Sequence, residues 1–220
     1  MSTSVDARPH TPWWRTKPVI LTVFWVVLLG AMVAGTRFVG ADEEIPTTGG
    51  GLGDPAVFVD GVYDSEIVPY LTDHATELTE LLPQLRTDVA GTRDALGLTG
   101  GSEPYSFAVR ATGTLTEGEF GQVGLDIPGL PAGTSVGIQT GPVLLGNAIR
   151  DAVGVISFDE TQNQIEFYNV AVEINNIVRE RVTGPADLAS RVGRQVTVIG
   201  AFTYDDPTHI TITPISVEES

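Results

Sequence analysis

The spacing of apolar positions changes several times along this chain, and each change predicts a different kind of element. Residues 18–35 (PVILTVFWVVLLGAMVAG) form an unbroken stretch of 18 residues without a charge. As a helix it would reach roughly 27 Å, about the hydrocarbon thickness of a bilayer. Between 64 and 96 the apolar residues Ile67, Leu71, Ala75, Leu78, Leu82, Leu85 and Val89 recur every three or four positions, the period of an amphipathic helix. Pro83 should interrupt that segment, because proline removes a backbone donor and crowds the preceding turn. Two or three short helices are therefore expected, with Asp64 or Ser65 as a cap, Pro69 in a first turn and an end at Gly97.

The period then drops to two. Residues 106–116 alternate Phe107, Val109, Ala111 and Leu115 around a glycine, and 120–127 alternate Val123, Leu125 and Ile127. Glu117-Gly118-Glu119 reads as the hairpin turn between them. A third strand is predicted over 134–140, continuing past Pro142 into 143–145. A long helix is predicted over 161–182, with Ile165, Tyr168, Ala171, Ile174, Ile177, Val178 and Val182 on its buried side and Asp159 or Thr161 as its cap. Gly184-Pro185 should end it, and a short helix over 186–192 should follow. Residues 195–204 and 209–217 alternate as two further strands joined at Asp205-Asp206-Pro207. Three strands, a helix and two strands is the order of an OB-fold, a five-stranded Greek-key barrel, so the fold class expected is α+β with an OB-like barrel. An open α+β sheet uses the same elements. The chain then divides into a basic stretch 1–17, a transmembrane anchor 18–36, an acidic Gly/Pro tether 37–55, a helical segment 56–99 packed on the barrel, and the barrel 100–220.

Charge orients this arrangement. Arg8, Arg15 and Lys17 precede the apolar run and only Arg37 follows closely, so the positive-inside bias puts the N-terminus in the cytoplasm and the rest outside. Trp13 and Trp14 suit the interfacial belt. Cleavage at Val39-Gly40-Ala41 is the competing reading, although the run is longer than a signal-peptide core. Beyond Ala41 there are 27 acidic residues, 8 arginines and no lysine. Such a surface repels phosphate backbones and anionic headgroups, which argues against nucleic acid as a partner. With no cysteine there are no disulfides, and the exported part must be stable through its core alone.

Candidate chemistry is sparse. Asn147, Arg150, Asp151, Asn163, Gln164 and Asn175 gather amides, one guanidinium and one carboxylate around the main helix, a set that suits a sugar's mixed donors and acceptors. The same residues suit a network that braces loops. Asp159-Glu160 and Asp205-Asp206 are the carboxylate pairs a glycosidase would need, and both lie where acids ordinarily cap turns. Asp205, Asp206 and His209 form the only metal-like grouping, and its spacing matches no established ligand pattern. No GxSxG elbow occurs, and GGGLG at 49–53 lacks the lysine and helix of a phosphate loop. Phe158, Phe167, Tyr168, Phe202 and Tyr204 would stack on sugar rings or fill the core, with Phe202 and Tyr204 on one strand face and expected inside. No cofactor or metal is expected, and no enzymatic activity.

Four phrases carry a resemblance: YDSEIVPYL at 63–71, GPVLLGNAIRDAVGVISFDETQNQIEF at 141–167, VTVIGAFT at 196–203 and ITITPISVE at 210–218. The most specific positions are Gly141-Pro142, Gly146, Arg150-Asp151-Ala152, Phe158-Asp159 and Asn163-Gln164-Ile165-Glu166. Together they resemble an uncharacterised bacterial family of predicted periplasmic lipoproteins, a domain of unknown function often encoded beside sugar ABC transporters. The likeness runs from about residue 58 to 218. It implies an extracytoplasmic binding or adaptor role, with an ABC permease or solute-binding protein as partner and a sugar as ligand. A hydrolase acting on envelope carbohydrate and a purely structural envelope component are the alternatives. The departure is at the anchor, where the family usually carries a lipidated cysteine and this chain carries an apolar helix.

Overall fold

The computed structural model describes residues 17–35, 51–96, 98 and 103–219. The basic stretch with Trp13 and Trp14, the cleavage-like Val39-Gly40-Ala41 and most of the expected tether lie outside the described residues. The chain divides into two compact units, Met1–Pro46 and Thr47–Ser220. In the first, Lys17–Gly35 forms helix α1. Its side chains are described from 21 to 32, all of them exposed. Among the described residues no helix is long and apolar enough to cross a membrane. The span expected over 18–36 is therefore not established by the structure.

The second unit begins earlier than the apolar period suggests. Asp54 caps α2 (Pro55–Val62) by accepting the Ala56 amide at 3.0 Å, with Pro55 pre-set for the first turn. A π-helical turn, Tyr63–Ile67, leads into α3 (Val68–His74) without a fresh cap. Asp64 and Ser65 are thus not the expected caps, and Asp64 instead pairs with Arg181 at 3.0 Å. The chain then extends through β1 (Thr76–Glu77) into α4 (Leu78–Thr87) and α5 (Val89–Ala95). Pro83 does not interrupt α4. It sits on the exposed side, where water can reach the carbonyl left without a donor, while Leu78, Leu81, Leu82 and Leu85 bury the opposite side. The breaks fall where the backbone turns extended, at Ala75 and at Asp88, whose carboxylate caps α5 through the Gly91 amide at 2.9 Å.

The remaining elements are β2 (Ser106–Thr116), β3 (Gln122–Asp126), β4 (Ser135–Gln139), α6 (Ala148–Val153), α7 (Gln164–Val178), α8 (Gly184–Ala186), β5 (Gln195–Thr203) and β6 (His209–Glu219). The strands pair in the order β2-β3-β4-β6-β5, and β5 returns to β2 to close the barrel. All these pairs are antiparallel except β4 with β6, and β1 adds a short parallel rung outside β2. This is the expected OB order with its helices between the third and fourth barrel strands. Closure needs a sharp bend in β5 and β6. Ile199 faces Ser216 while Gly200 faces Pro214, and a Cβ on Gly200 would strike the Thr213 carbonyl. The bulge also accommodates Pro214, which cannot donate to a regular ladder.

Two apolar layers result. Alternate residues of all five strands fill the barrel, and the four leucines of α4 pack against that interior with Phe107 and Phe202. The second layer lies outside the barrel. There α2, α3, α6 and α7 cover the outward Ala108, Ile199, Ala201 and Ile215 of β2, β5 and β6.

Three further expectations are corrected. Residues 143–145 are not strand: Gln139 holds them as a loop, its Nε2 donating to the Leu145 carbonyl and its Oε1 accepting the Leu145 amide, at 2.9 and 2.8 Å. The main helix buries Glu166, Val170, Ala171, Ile174, Asn175 and Val178, and leaves Ile165 and Tyr168 exposed. Glu166 and Asn175 take inward positions because each bonds a loop backbone, which rotates the buried side away from that read by hydropathy. Helical geometry also continues beyond 182, through a π turn at Arg179–Thr183 into α8, and a 3-10 turn at Leu188–Arg191 replaces the short helix expected over 186–192.

Candidate functional site

The candidate residues on α6 and α7 fall into three situations. Arg150 is buried to 5% exposure. Its Nε and Nη2 reach Asp151 Oδ1 at 2.8 and 2.7 Å, and its Nη1 donates to the Phe167 carbonyl at 2.8 Å. The guanidinium lies 3.7 Å from the centre of the Phe167 ring, which meets Phe158 edge-on at 5.7 Å. Asn175 Nδ2 donates to the Gly146 carbonyl at 2.9 Å, fixing the loop that leads to Asn147 and α6. Asn147 Oδ1 is buried without a partner. Arg150, Asp151 and Asn175 therefore stitch α6 and its approach to α7, and the guanidinium faces inward onto partners it already has.

Asn163 and Gln164 stand apart from this network. Asn163 is the N-cap of α7, accepting the amides of Ile165 and Glu166 at 2.9 and 3.0 Å, in place of Asp159 or Thr161. Gln164 is exposed on the first turn. Asn176 bonds Glu173 at 3.3 Å on its own helix.

The carboxylates have local duties. Glu160 accepts both the amide and the hydroxyl of Ser157 at 2.7 Å, which holds its carboxyl below the usual range. Asp206 accepts the Thr208 amide and hydroxyl at 2.7 and 2.6 Å and is lowered likewise. A glycosidase acid requires the opposite displacement. His209 Nδ1 and Ser135 Oγ lie 2.8 Å apart. Among the described residues no carboxylate is hydrogen-bonded to the His209 ring: Asp206 beside it is bound to Thr208 and to the His209 backbone, and Ser135 Oγ also donates to the Thr208 carbonyl at 3.1 Å. Among the described residues no three His, Asp or Glu side chains converge as metal ligands.

Hydropathy gave no signal for a cleft on the barrel wall. On the side of the barrel away from the helices, β3, β4 and the loops at 116–120 and 127–135 enclose about 740 Å³. This is within the usual size of a small-molecule site. It lies on the second and third barrel strands, the face that OB-folds use for oligonucleotides and oligosaccharides. Glu117, Glu119 and Asp126 are its charged lining residues, and no lysine or arginine lines it.

The chain belongs to the family described as predicted periplasmic lipoprotein (DUF2291), whose profile matches residues 26–218. Family membership carries an extracytoplasmic location and no defined activity. The fold is similar to that of an OB-fold protein from Thermotoga maritima, at TM-score 0.60 and 18% identity, over 76% of this chain and 98% of that one. No curated protein matches the sequence.

Proposed function

We propose that this protein is a membrane-tethered, extracytoplasmic binding or adaptor module without catalytic activity, accessory to an ABC uptake system for a sugar or similar solute. The observation that carries the binding role is the cleft on β3 and β4, a face of the barrel that the outer layer of α2, α3, α6 and α7 leaves uncovered. A non-catalytic role is supported by one acid of each pair, since Glu160 and Asp206 are tied to Ser157 and Thr208 and lowered, opposite to the displacement a glycosidase acid needs. The acidic lining and the lysine-free exported sequence favour a neutral ligand over an anionic one. The transporter partner, a permease or a solute-binding protein, rests on the family resemblance.

The anchor is α1 acting as a single span with its N-terminus in the cytoplasm, supported by the uncharged run 18–35 within it and by Arg8, Arg15 and Lys17 ahead of that run. With no cysteine in the 220 residues, the sequence offers no acceptor for the family's lipid anchor. Crosslinking in intact cells, followed by purification of the full chain from solubilised membranes, should recover a permease or solute-binding protein. Recovery of neither would overturn the accessory role. Protease added outside intact cells should digest the barrel, and protection there would overturn the topology.

A further inference from the structure

We infer that the cleft on β3 and β4 is a subsite for a neutral saccharide, with Phe120 as its stacking platform. This rests on the binding reading above and assigns the ligand class and the residues. Phe120 lines the cleft and is 96% exposed. It occupies a costly position: Gln122 N donates to Glu119 O at 3.1 Å, and the two residues between, Phe120 and Gly121, have φ of +55° and +77°. That is the pattern of a type I′ turn, whose central positions favour Asn, Asp and Gly. A solvated aromatic ring in left-handed backbone serves neither core packing nor the turn. Side chains held against local preference in this way concentrate at ligand sites.

The floor beneath it is built for close approach. Gly124 and Gly137 face each other across β3 and β4. A Cβ on Gly124 would strike Thr116 Oγ1, and one on Gly137 would strike Gln122 Oε1, so a hydroxyl and an amide occupy the space where side chains would stand. Gln122 Nε2 donates to Thr211 Oγ1 at 3.3 Å, which lays the amide across the floor. Ser135 and His209 form one wall and Glu117, Glu119 and Asp126 supply carboxylates. An acceptor-rich cleft with an aromatic face and no lysine or arginine in its lining, where Arg86 at the rim is already engaged by Thr134 Oγ1 and the Pro207 carbonyl, suits a sugar ring, which presents hydroxyl donors at its edge and an apolar face. Phosphorylated or carboxylated ligands would meet like charge. A divalent cation is disfavoured because Glu117, Glu119, Asp126 and His209 form no converging group of three ligands.

The test is isothermal titration of the full chain in detergent with ribose, xylose, glucose, maltotriose and chitotriose, against inorganic phosphate, trigalacturonate and calcium chloride. At least one neutral saccharide should bind. Phe120→Ala should weaken it about tenfold, Phe120→Tyr should retain it, and Gly137→Ala should weaken it by displacing Gln122, each with an unchanged far-UV spectrum. The assignment is overturned if only the anions or calcium bind, or if Phe120→Ala binds as the parent does. If no saccharide binds while crosslinking still recovers a transporter component, the subsite falls and the adaptor role survives. If both experiments fail, the binding reading falls with it.

Discussion

Replacing Arg150 with alanine separates bracing from ligand binding, because the two roles predict opposite pairs of measurements. The side chain is 5% exposed and makes three contacts of 2.7 to 2.8 Å, two to Asp151 and one to the Phe167 carbonyl, with its plane against the Phe167 ring. Asp151 is about one-third exposed and would regain water, so that pair contributes about 1 kcal/mol. The carbonyl of Phe167 loses its charged donor, worth about 1 kcal/mol, and the stacked guanidinium about another 1 kcal/mol. The sum, about 3 kcal/mol, lies at the lower edge of the range for breaking a buried ion pair. For a unit of this size it should lower the melting temperature by about 6 to 12 °C. Arg150→Lys keeps the charge without the planar fork, and about half of the loss should remain. Circular dichroism melts of the full chain in detergent measure the effect. A melting temperature within 2 °C of the parent, together with abolished saccharide binding, would refute the bracing role and return Arg150 to the ligand site.

The other predictions use different parts of the fold. Phe120→Asn relieves left-handed backbone in a turn that prefers asparagine, so it should raise stability by about 1 kcal/mol, or 2 to 4 °C, while weakening saccharide binding. A lower melting temperature would contradict the turn assignment. The Tyr63 hydroxyl is buried without a hydrogen-bond partner, and burial pushes its pKa up to about 12. Its folded pKa lies above its unfolded one, so this contribution is intact below pH 10 and is lost as pH rises from about 10 to 12. Tyr63→Phe should flatten that alkaline decline, and an unchanged decline would assign it to other groups. Glu160 and Asp206 are lowered instead, so their contributions are present above the unfolded carboxyl range near pH 4 and are lost as pH falls through their folded values. Double replacement by Gln and Asn should reduce the acid-side slope in melts between pH 2 and 5, and an unaltered slope would show that the Ser157 and Thr208 contacts carry no stability.

What was legible in the sequence was what alternation dictates. The bounds of β2 are those read from Phe107, Val109, Ala111 and Leu115, and the five-strand order follows because each strand carries its own inward set. Hydropathy misled where a polar side chain had structural work. Glu166 and Asn175 are buried to bond loops, so Ile165 and Tyr168, which look like core, are solvated. Pro83 misled because a proline breaks a helix only when tertiary packing does not hold it, and four leucines hold this one. The cleft was hidden for a related reason. Gly118 drew the hairpin turn to 117–119, whereas positive φ at Phe120 and Gly121 places the tight turn three residues later. Nothing in a single sequence signals that Gly124 and Gly137 would face each other, since that pairing exists only once the register is formed.

The same alternation that builds the barrel also decides which of its faces stays open. Outward positions on β2, β5 and β6 include Ala108, Ile199, Ala201 and Ile215, small or apolar groups on which a helix can pack at a gain of about 25 cal/mol per Å² buried. Outward positions on β3 and β4 are Gln122, Gly124, Asp126, Ser135, Gly137 and Gln139. A helix laid there would have to desolvate a carboxylate, a hydroxyl and two amides, at a cost of about 1 to 3 kcal/mol for each group left unpaired. The helices therefore gather on one side for reasons of folding alone, and the other side keeps Asp126 and Ser135 exposed to water while Gln122 and Gln139 bond Thr211 and the Leu145 backbone. A hydroxylated ligand can replace that water bond for bond, which is why the exposed ring of Phe120 and the glycine floor gain a use that packing does not give them.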